Sequence, residues 1–144
     1  MPEERKVENV FAYKVFRYTV SGQLRLCFSR SKRLTEKHQF DLVFRKPEYR
    51  TSRGSVRAKA CANHLDHPRL GIVVAKRQFP RAVVRNAIKR EIREGFRLAC
   101  SELPGVDIVV QVFSFKMKDQ FSRSLEGIWQ DIVLDKNLHR DIKR

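Results

Sequence analysis

Residues 81–100 read Arg81-Ala82-Val83-Val84-Arg85-Asn86-Ala87-Ile88-Lys89-Arg90-Glu91-Ile92-Arg93-Glu94-Gly95-Phe96-Arg97-Leu98-Ala99-Cys100. Wound at about 100° per residue, Val84, Ile88, Ile92, Gly95, Phe96 and Ala99 fall on one arc of about 120°. Arg85, Asn86, Lys89, Arg90, Arg93 and Arg97 fall on a second arc of about 140°. Glu91, Glu94 and Ala87 lie between the two. One side is therefore a core face, and the other carries five cations and an amide with no acid among them. The pairs Arg85–Lys89, Lys89–Arg93 and Arg93–Arg97 set like charges at i,i+4, a repulsion of roughly 0.2–0.5 kcal/mol each in an isolated helix. A polyanion lying along that face reverses the sign, and Arg grips phosphate with paired hydrogen bonds. The alternative is a solvated charged face, but such faces ordinarily mix both signs.

Upstream, the loop Lys76-Arg77-Gln78-Phe79-Pro80 brings Lys76, Arg77 and Arg81 to the helix N-terminus, where backbone amides also favour phosphate. Leu70 to Ala75 is apolar on both faces and predicts a central strand. A strand, not a short helix, thus precedes the long helix, which argues against a helix-turn-helix reader of DNA. Ser55 to Asn63 alternates: Val56, Ala58, Ala60 and Ala62 on one face, Arg57, Lys59 and Cys61 on the other. Further back, Leu34, Phe40, Val43 and Phe44 recur at helical spacing, with Thr35 as the expected cap and Pro47 as the stop. Downstream, Pro104-Gly105 breaks the chain, Ile108 to Phe113 is a strand, and a last helix is expected from about Lys118 to Leu134. Its stripe is Phe121, Leu125, Ile128, Trp129 and Ile132.

The 144 residues suit one domain with tails: an extension over 1–25, expected to be poorly ordered, a domain over 26–135, and a basic tail over 136–144. Lys plus Arg is 31 against 16 Asp plus Glu, a net charge of +15, which points to a polyanionic partner. No apolar run approaches the ~20 residues of a membrane span. Lys14 and Arg17 interrupt the candidate signal segment Val10–Val20, and Glu3, Glu4 and Glu8 do not suit a mitochondrial presequence. Cys27, Cys61 and Cys100 form no Cys-x-x-Cys pair, so they read as reduced thiols of a cytoplasmic protein rather than a disulfide or zinc framework.

The run His67-Pro68-Arg69-Leu70-Gly71-Ile72-Val73-Val74-Ala75-Lys76-Arg77, followed by Arg81 to Glu94 and Phe96-Arg97, resembles the protein subunit of bacterial ribonuclease P. The resemblance starts near Arg33-Leu34-Thr35, continues through Leu103-Pro104 and Asp107-Ile108-Val109-Val110, and covers roughly residues 26–134 of the chain. It implies an α/β fold, a two-layer α+β sandwich in the order helix–three strands–helix–strand–helix, shared with a domain of a small-subunit ribosomal protein. It also implies a left-handed crossover from Leu70–Ala75 through the long helix to Val106–Phe113, against the ~98% rule. The function implied is that of a subunit of an endoribonuclease holoenzyme that removes the 5′ leader of precursor tRNA. The catalyst would be the RNA subunit with its Mg²⁺, bound to one protein per RNA, with no metal held tightly by the protein and no membrane involved.

Residue by residue, the resemblance assigns RNA contacts to Lys76, Arg77, Arg81, Arg85, Asn86, Lys89, Arg90, Arg93 and Arg97. The family's Arg-Asn-Arg motif falls on Arg85, Asn86 and Ala87, so its third position departs and puts one RNA contact in doubt. The family's cleft for the tRNA leader implies Phe40 and Phe44, with Arg57 and Lys59 as candidate phosphate contacts. From spacing alone, Phe40 and Phe44 read equally as core aromatics. No catalytic side chain is expected. His64, Asp66 and His67 lack a third ligand in a metal-site spacing, and Glu91 and Glu94 read as ion-pair partners of nearby arginines. The competing functions are a structural RNA-binding protein of ribosomal type and a protein-only nuclease working through Glu91 and Glu94.

Overall fold

The computed structural model describes residues 30–135; the expected extension over 1–25, the tail over 136–144 and Cys27 lie outside the described residues. A 3-10 turn at Arg30–Lys32 leads to α1 (Lys37–Arg45), β1 (Tyr49–Arg53), β2 (Val56–Ala62), β3 (Arg69–Val74), α2 (Ala82–Ala99), β4 (Val106–Val112) and α3 (Lys118–Leu134). The strands make one sheet in the order β1-β2-β4-β3. β1–β2 and β2–β4 are antiparallel, and β3 and β4 are parallel neighbours joined through α2.

Alternation along β2 and β4 sorts the sheet into two faces. Val56, Ala58 and Ala60 of β2, with Val106, Ile108, Val110 and Val112 of β4, are buried under α2 and α3. Ile88, Ile92, Phe96 and Ala99 of α2 and Phe121, Leu125, Ile128, Trp129 and Ile132 of α3 complete this core, so the apolar stripes read from both helices are the buried ones. On the opposite face a smaller cluster joins Leu34, Val43 and Val109, with Phe40, Phe44, Cys61 and Val73 packed at its margin.

Three expectations are corrected. The strand at Leu70–Ala75 is not central: β3 is an edge strand, and β4 lies inside the sheet. Its apolar residues on both faces have a different cause, because both faces are covered. Leu70 is buried in the main core, while Gly71 lies so close under α1 that an added Cβ would stand 2.5 Å from Cε1 of Phe40. Its outer edge is also met, since the Leu34 N–H donates to the Leu70 carbonyl at 2.9 Å. Secondly, Thr35 does not cap α1. Glu36 is the cap residue, and Gln39 Oε1 accepts from the N–H groups of Thr35 (2.9 Å) and Glu36 (3.1 Å), tying down the helix start from inside its first turn. Thirdly, residue patterning passed over β1, which only the family resemblance implied. Tyr49-Arg50-Thr51-Ser52-Arg53 has no apolar alternation, yet it pairs with β2 along its whole length. Gly54 closes that hairpin at φ 57°, a left-handed conformation that glycine adopts without cost.

Candidate nucleic-acid interface

The cationic side of α2 starts in the loop before it. Phe79 is buried in the main core, and its N–H and that of Gln78 both donate to the Ala75 carbonyl, folding the loop tightly. Lys76, Arg77 and Arg81 stand exposed on it. α2 has no acid in its first turn and no side-chain cap at Arg81, so its leading N–H groups and partial positive charge are left for an anion.

The structure divides the arc of α2 into three kinds of residue. Asn86, Arg90 and Arg93 are exposed and Lys89 is half-buried; among the described residues none of them has a carboxylate partner. Arg85 turns back instead: its Nη1 donates to the carbonyls of Phe79 (2.7 Å) and Pro80 (2.8 Å), latching the loop to the helix. Arg97 is engaged by a carboxylate. Its Nε and Nη2 donate to Oε2 and Oε1 of Glu94 at 3.1 and 2.5 Å, and this hydrogen bonding holds the Glu94 carboxyl below its ordinary range. In the free protein, the nine residues assigned to RNA contact thus stand in different surroundings. The open part of the face runs from the loop to Arg93. Glu91 is met not by an arginine, as expected, but by Lys118 of α3 at 3.3 Å, so both acids beside the face answer cations.

The second group of candidates lies on the sheet face under α1. That helix is nine residues long and covers the sheet only in part. Phe40 and Phe44 are half-buried at the margin of the small cluster, each partly packed and partly open. Lys59 Nζ stands 5.1 Å from the centre of the Phe44 ring. Arg57 Cζ stands 4.7 Å from the centre of the Phe113 ring, and Phe113 is 40% exposed. Phe113 is a residue that the sequence reading missed. Its signal was its parity with Val109 and Gln111, which turns it to the same side as Arg57 and Lys59. Each cation over a ring is worth about 0.5–1 kcal/mol when exposed and fixes where the charge sits. Between them, burial and then the nearby Asp107 and Glu48 carboxylates push the Cys61 thiol up to about 11, so Cys61 lines this face uncharged.

One end of the face is closed by a buried pair. Arg69 donates to Asp107 through Nε (2.7 Å) and Nη2 (2.6 Å), and Asn63 Nδ2 adds a bond of 3.0 Å to the same carboxylate. In the neighbouring turn, His67 Nδ1 meets Asp66 Oδ1 at 2.7 Å and its Nε2 faces the Ser31 carbonyl at 3.2 Å. Among the described residues no group of three His, Cys, Asp or Glu side chains could hold a metal ion, and no helix is long and apolar enough to cross a membrane.

Comparisons with known proteins agree on one family. Residues 28–133 match the family model described as Ribonuclease P. The Ribonuclease P protein component of Haemophilus influenzae (strain PittGG) is 42% identical over 110 residues, covering 74% of this chain and 92% of that protein. That of Ectopseudomonas mendocina (strain ymp) is 51% identical over 83 residues, 58% of this chain and 62% of that protein. Among solved structures, the Staphylococcus aureus RNase P protein superposes with a TM-score of 0.63 at 31% identity, over 69% of this chain and 94% of the other. The Thermotoga maritima RNase P protein gives 0.58 at 28% identity, over 72% and 97%.

Proposed function

The chain belongs to the bacterial ribonuclease P protein family, and from that premise we propose that it serves as the protein component of ribonuclease P, acting in tRNA 5′ maturation by binding RNA rather than by cutting it. The observation that carries the reading is the run Asn86, Lys89, Arg90 and Arg93, a cationic helix face left unanswered while the adjacent acids are occupied. This face, with Lys76, Arg77 and Arg81 at its N-terminal end, lies along the catalytic RNA subunit, one protein to each RNA. Arg85 holds the loop in register with the helix, and Arg97, its charge partly offset by Glu94, contributes at the margin.

The sheet face under α1 takes the single-stranded 5′ leader of precursor tRNA. Phe40 and Phe44 offer ring surfaces to unpaired bases, a contact worth about 1–3 kcal/mol per base, and Lys59 and Arg57 neutralise the phosphates between them. Leader binding raises the affinity for precursor over mature tRNA, which lacks that segment. Mg²⁺, held mainly by the RNA, would supply the Lewis-acid chemistry that activates water for phosphodiester hydrolysis. The chain's own residues screen phosphate repulsion, orient the leader and keep it from competing conformations.

Reconstitution tests the reading. Pure protein added to the RNA subunit at low Mg²⁺ should restore cleavage of precursor tRNA at the mature 5′ end. An RNA subunit that is not stimulated, or protein that cuts without RNA, overturns it.

A further inference from the structure

β1 carries two arginines, and its pleat sends them to opposite faces of the sheet. Tyr49, Thr51 and Arg53 turn towards α3. Tyr49 packs on the main core, and Asp131 accepts from Thr51 Oγ1 at 3.0 Å and from Arg53 Nε and Nη2 at 2.8 and 2.7 Å. Alternation therefore turns Arg50 and Ser52 to the face under α1. There the ladder sets Arg50 beside Lys59 and Ser52 beside Arg57. Arg53 has its carboxylate; Arg50 is exposed and has none among the described residues. Of the acids on this face, Asp107 is held by Arg69, while Glu48, two residues before Arg50, is exposed near Cys61 and makes no ion pair among the described residues.

We propose that the leader track does not end at Lys59 but continues across β1, where Arg50 binds a backbone phosphate in the upstream part of the leader. The proposal rests on the reading of the cleft as the leader site. β3 runs into the cationic loop before α2, and β1 is the opposite edge of the sheet, three strand spacings or about 14 Å away. RNA that enters beside the loop reaches Arg50 last, so Arg50 meets nucleotides distant from the scissile bond. Arg57, Lys59 and Arg50 then form a continuous cationic corner with Phe44 and Phe113 on its inner side. Phosphate and ring contacts of this kind accept any leader sequence.

The test is made on the reconstituted holoenzyme with precursor tRNAs whose leaders are short (about 2 nucleotides) or long (about 10), the span of one single-strand site. Arg50→Ala should shrink the affinity advantage of the long leader over the short. One lost phosphate contact lowers the log–log salt slope for the long leader by ~0.7, so a fourfold rise in salt should cost the variant about 2.6-fold less than wild type. Arg50→Lys should keep most of the advantage. Lys59→Ala and Phe44→Ala are the controls. If they diminish leader binding and Arg50→Ala does not, the extension across β1 is wrong and the cleft reading stands. If none of the three changes the dependence on leader length, the cleft reading itself fails. If Arg50→Ala weakens both substrates equally and the protein dimerises on gel filtration, Arg50 guards an exposed sheet edge and the proposal is overturned.

Discussion

The same four strands present two faces to the rest of the chain, and the faces are finished in opposite ways. Under α2 and α3 the sheet meets two helices of 18 and 17 residues, and the inward positions of its inner strands, β2 and β4, are aliphatic and almost all buried. Under α1 it meets nine residues, three buried side chains and a margin of half-exposed rings and cations. On the proposed function, the difference separates stability from recognition. A sealed face lets apolar burial hold the domain together at roughly 25 cal/mol per Å². A face left half covered keeps Phe40, Phe44, Phe113, Arg57 and Lys59 on a rigid platform yet accessible, the arrangement a single strand requires.

The largest expected effect attacks the sealed face. Phe96 is fully buried, against Trp129 with ring centres 6.0 Å apart. Phe96→Ala should cost about 3–5 kcal/mol in urea denaturation. Val43 is equally buried but belongs to the small cluster, and Val43→Ala should cost about 2 kcal/mol. Equal losses at the two sites would mean that the faces share the burden and that the division drawn above is false.

A smaller perturbation in stability should have the larger consequence for recognition. In Gly71→Ala the new Cβ would lie 2.5 Å from Phe40 Cε1 and 3.0 Å from Leu34 Cδ1. Phe40 is half-buried and has room to swing outwards, so the fold should lose only about 1 kcal/mol. The displaced ring should nevertheless erode the preference for precursor over mature tRNA, measured as a ratio of dissociation constants. A variant that melts early but keeps that preference would detach Phe40 from leader binding.

On α2 the comparison is between residues on one arc. Lys89→Ala and Arg93→Ala should each lower the salt slope of RNA-subunit binding by ~0.7–0.9, as expected for cations free to meet phosphate. Arg97→Ala should change it less, because Glu94 already engages that guanidinium. In Arg85→Ala the loop should lose its latch, seen as faster amide exchange over residues 76–81 in the free protein. Identical slopes for Lys89, Arg93 and Arg97 would show that Glu94 releases Arg97 on binding.

These distinctions mark where the sequence was legible. The last helix was read to the residue, and the core stripes of α2 and α3 were read correctly, because a period of 3.6 is imposed by apolar burial alone. β2 followed from its period of two. β1 did not, because one of its faces is held by a polar triad around Asp131 and the other carries Arg50 and Ser52, so no apolar alternation exists to be found. β3 was misplaced because two-sided apolarity reports covering on both faces, and an edge strand roofed by Phe40 and Leu34 satisfies that as well as a central one. At the site, a helical wheel gives direction but not engagement. It sets Arg85, Lys89 and Arg97 together, whereas the Phe79 and Pro80 carbonyls and the Glu94 carboxylate that sort them lie off that arc.

The smallest effect probes β1, where the contrast between the two faces is drawn within five residues. Asp131 carries its carboxyl below the ordinary 3.8, chiefly through the Arg53 hydrogen bond, against a partly offsetting burial, with Thr51 helping. A depressed acid contributes stability that is complete above its unfolded value and disappears as the pH falls through its folded value. The contribution should therefore be level from neutral pH down to about pH 5 and decline below about pH 4. Arg53 is half exposed, so screening keeps the pair small, under about 1 kcal/mol. Asp131→Asn should accordingly be slightly less stable than wild type at pH 7, with the gap narrowing towards pH 3 in parallel urea titrations. Arg50→Ala, across the strand, should show no such pH-dependent gap, since no described carboxylate answers Arg50. A gap that persists at pH 3 would mean that Asp131 acts through shape rather than charge, and the two arginines of β1 would then differ less than their surroundings suggest.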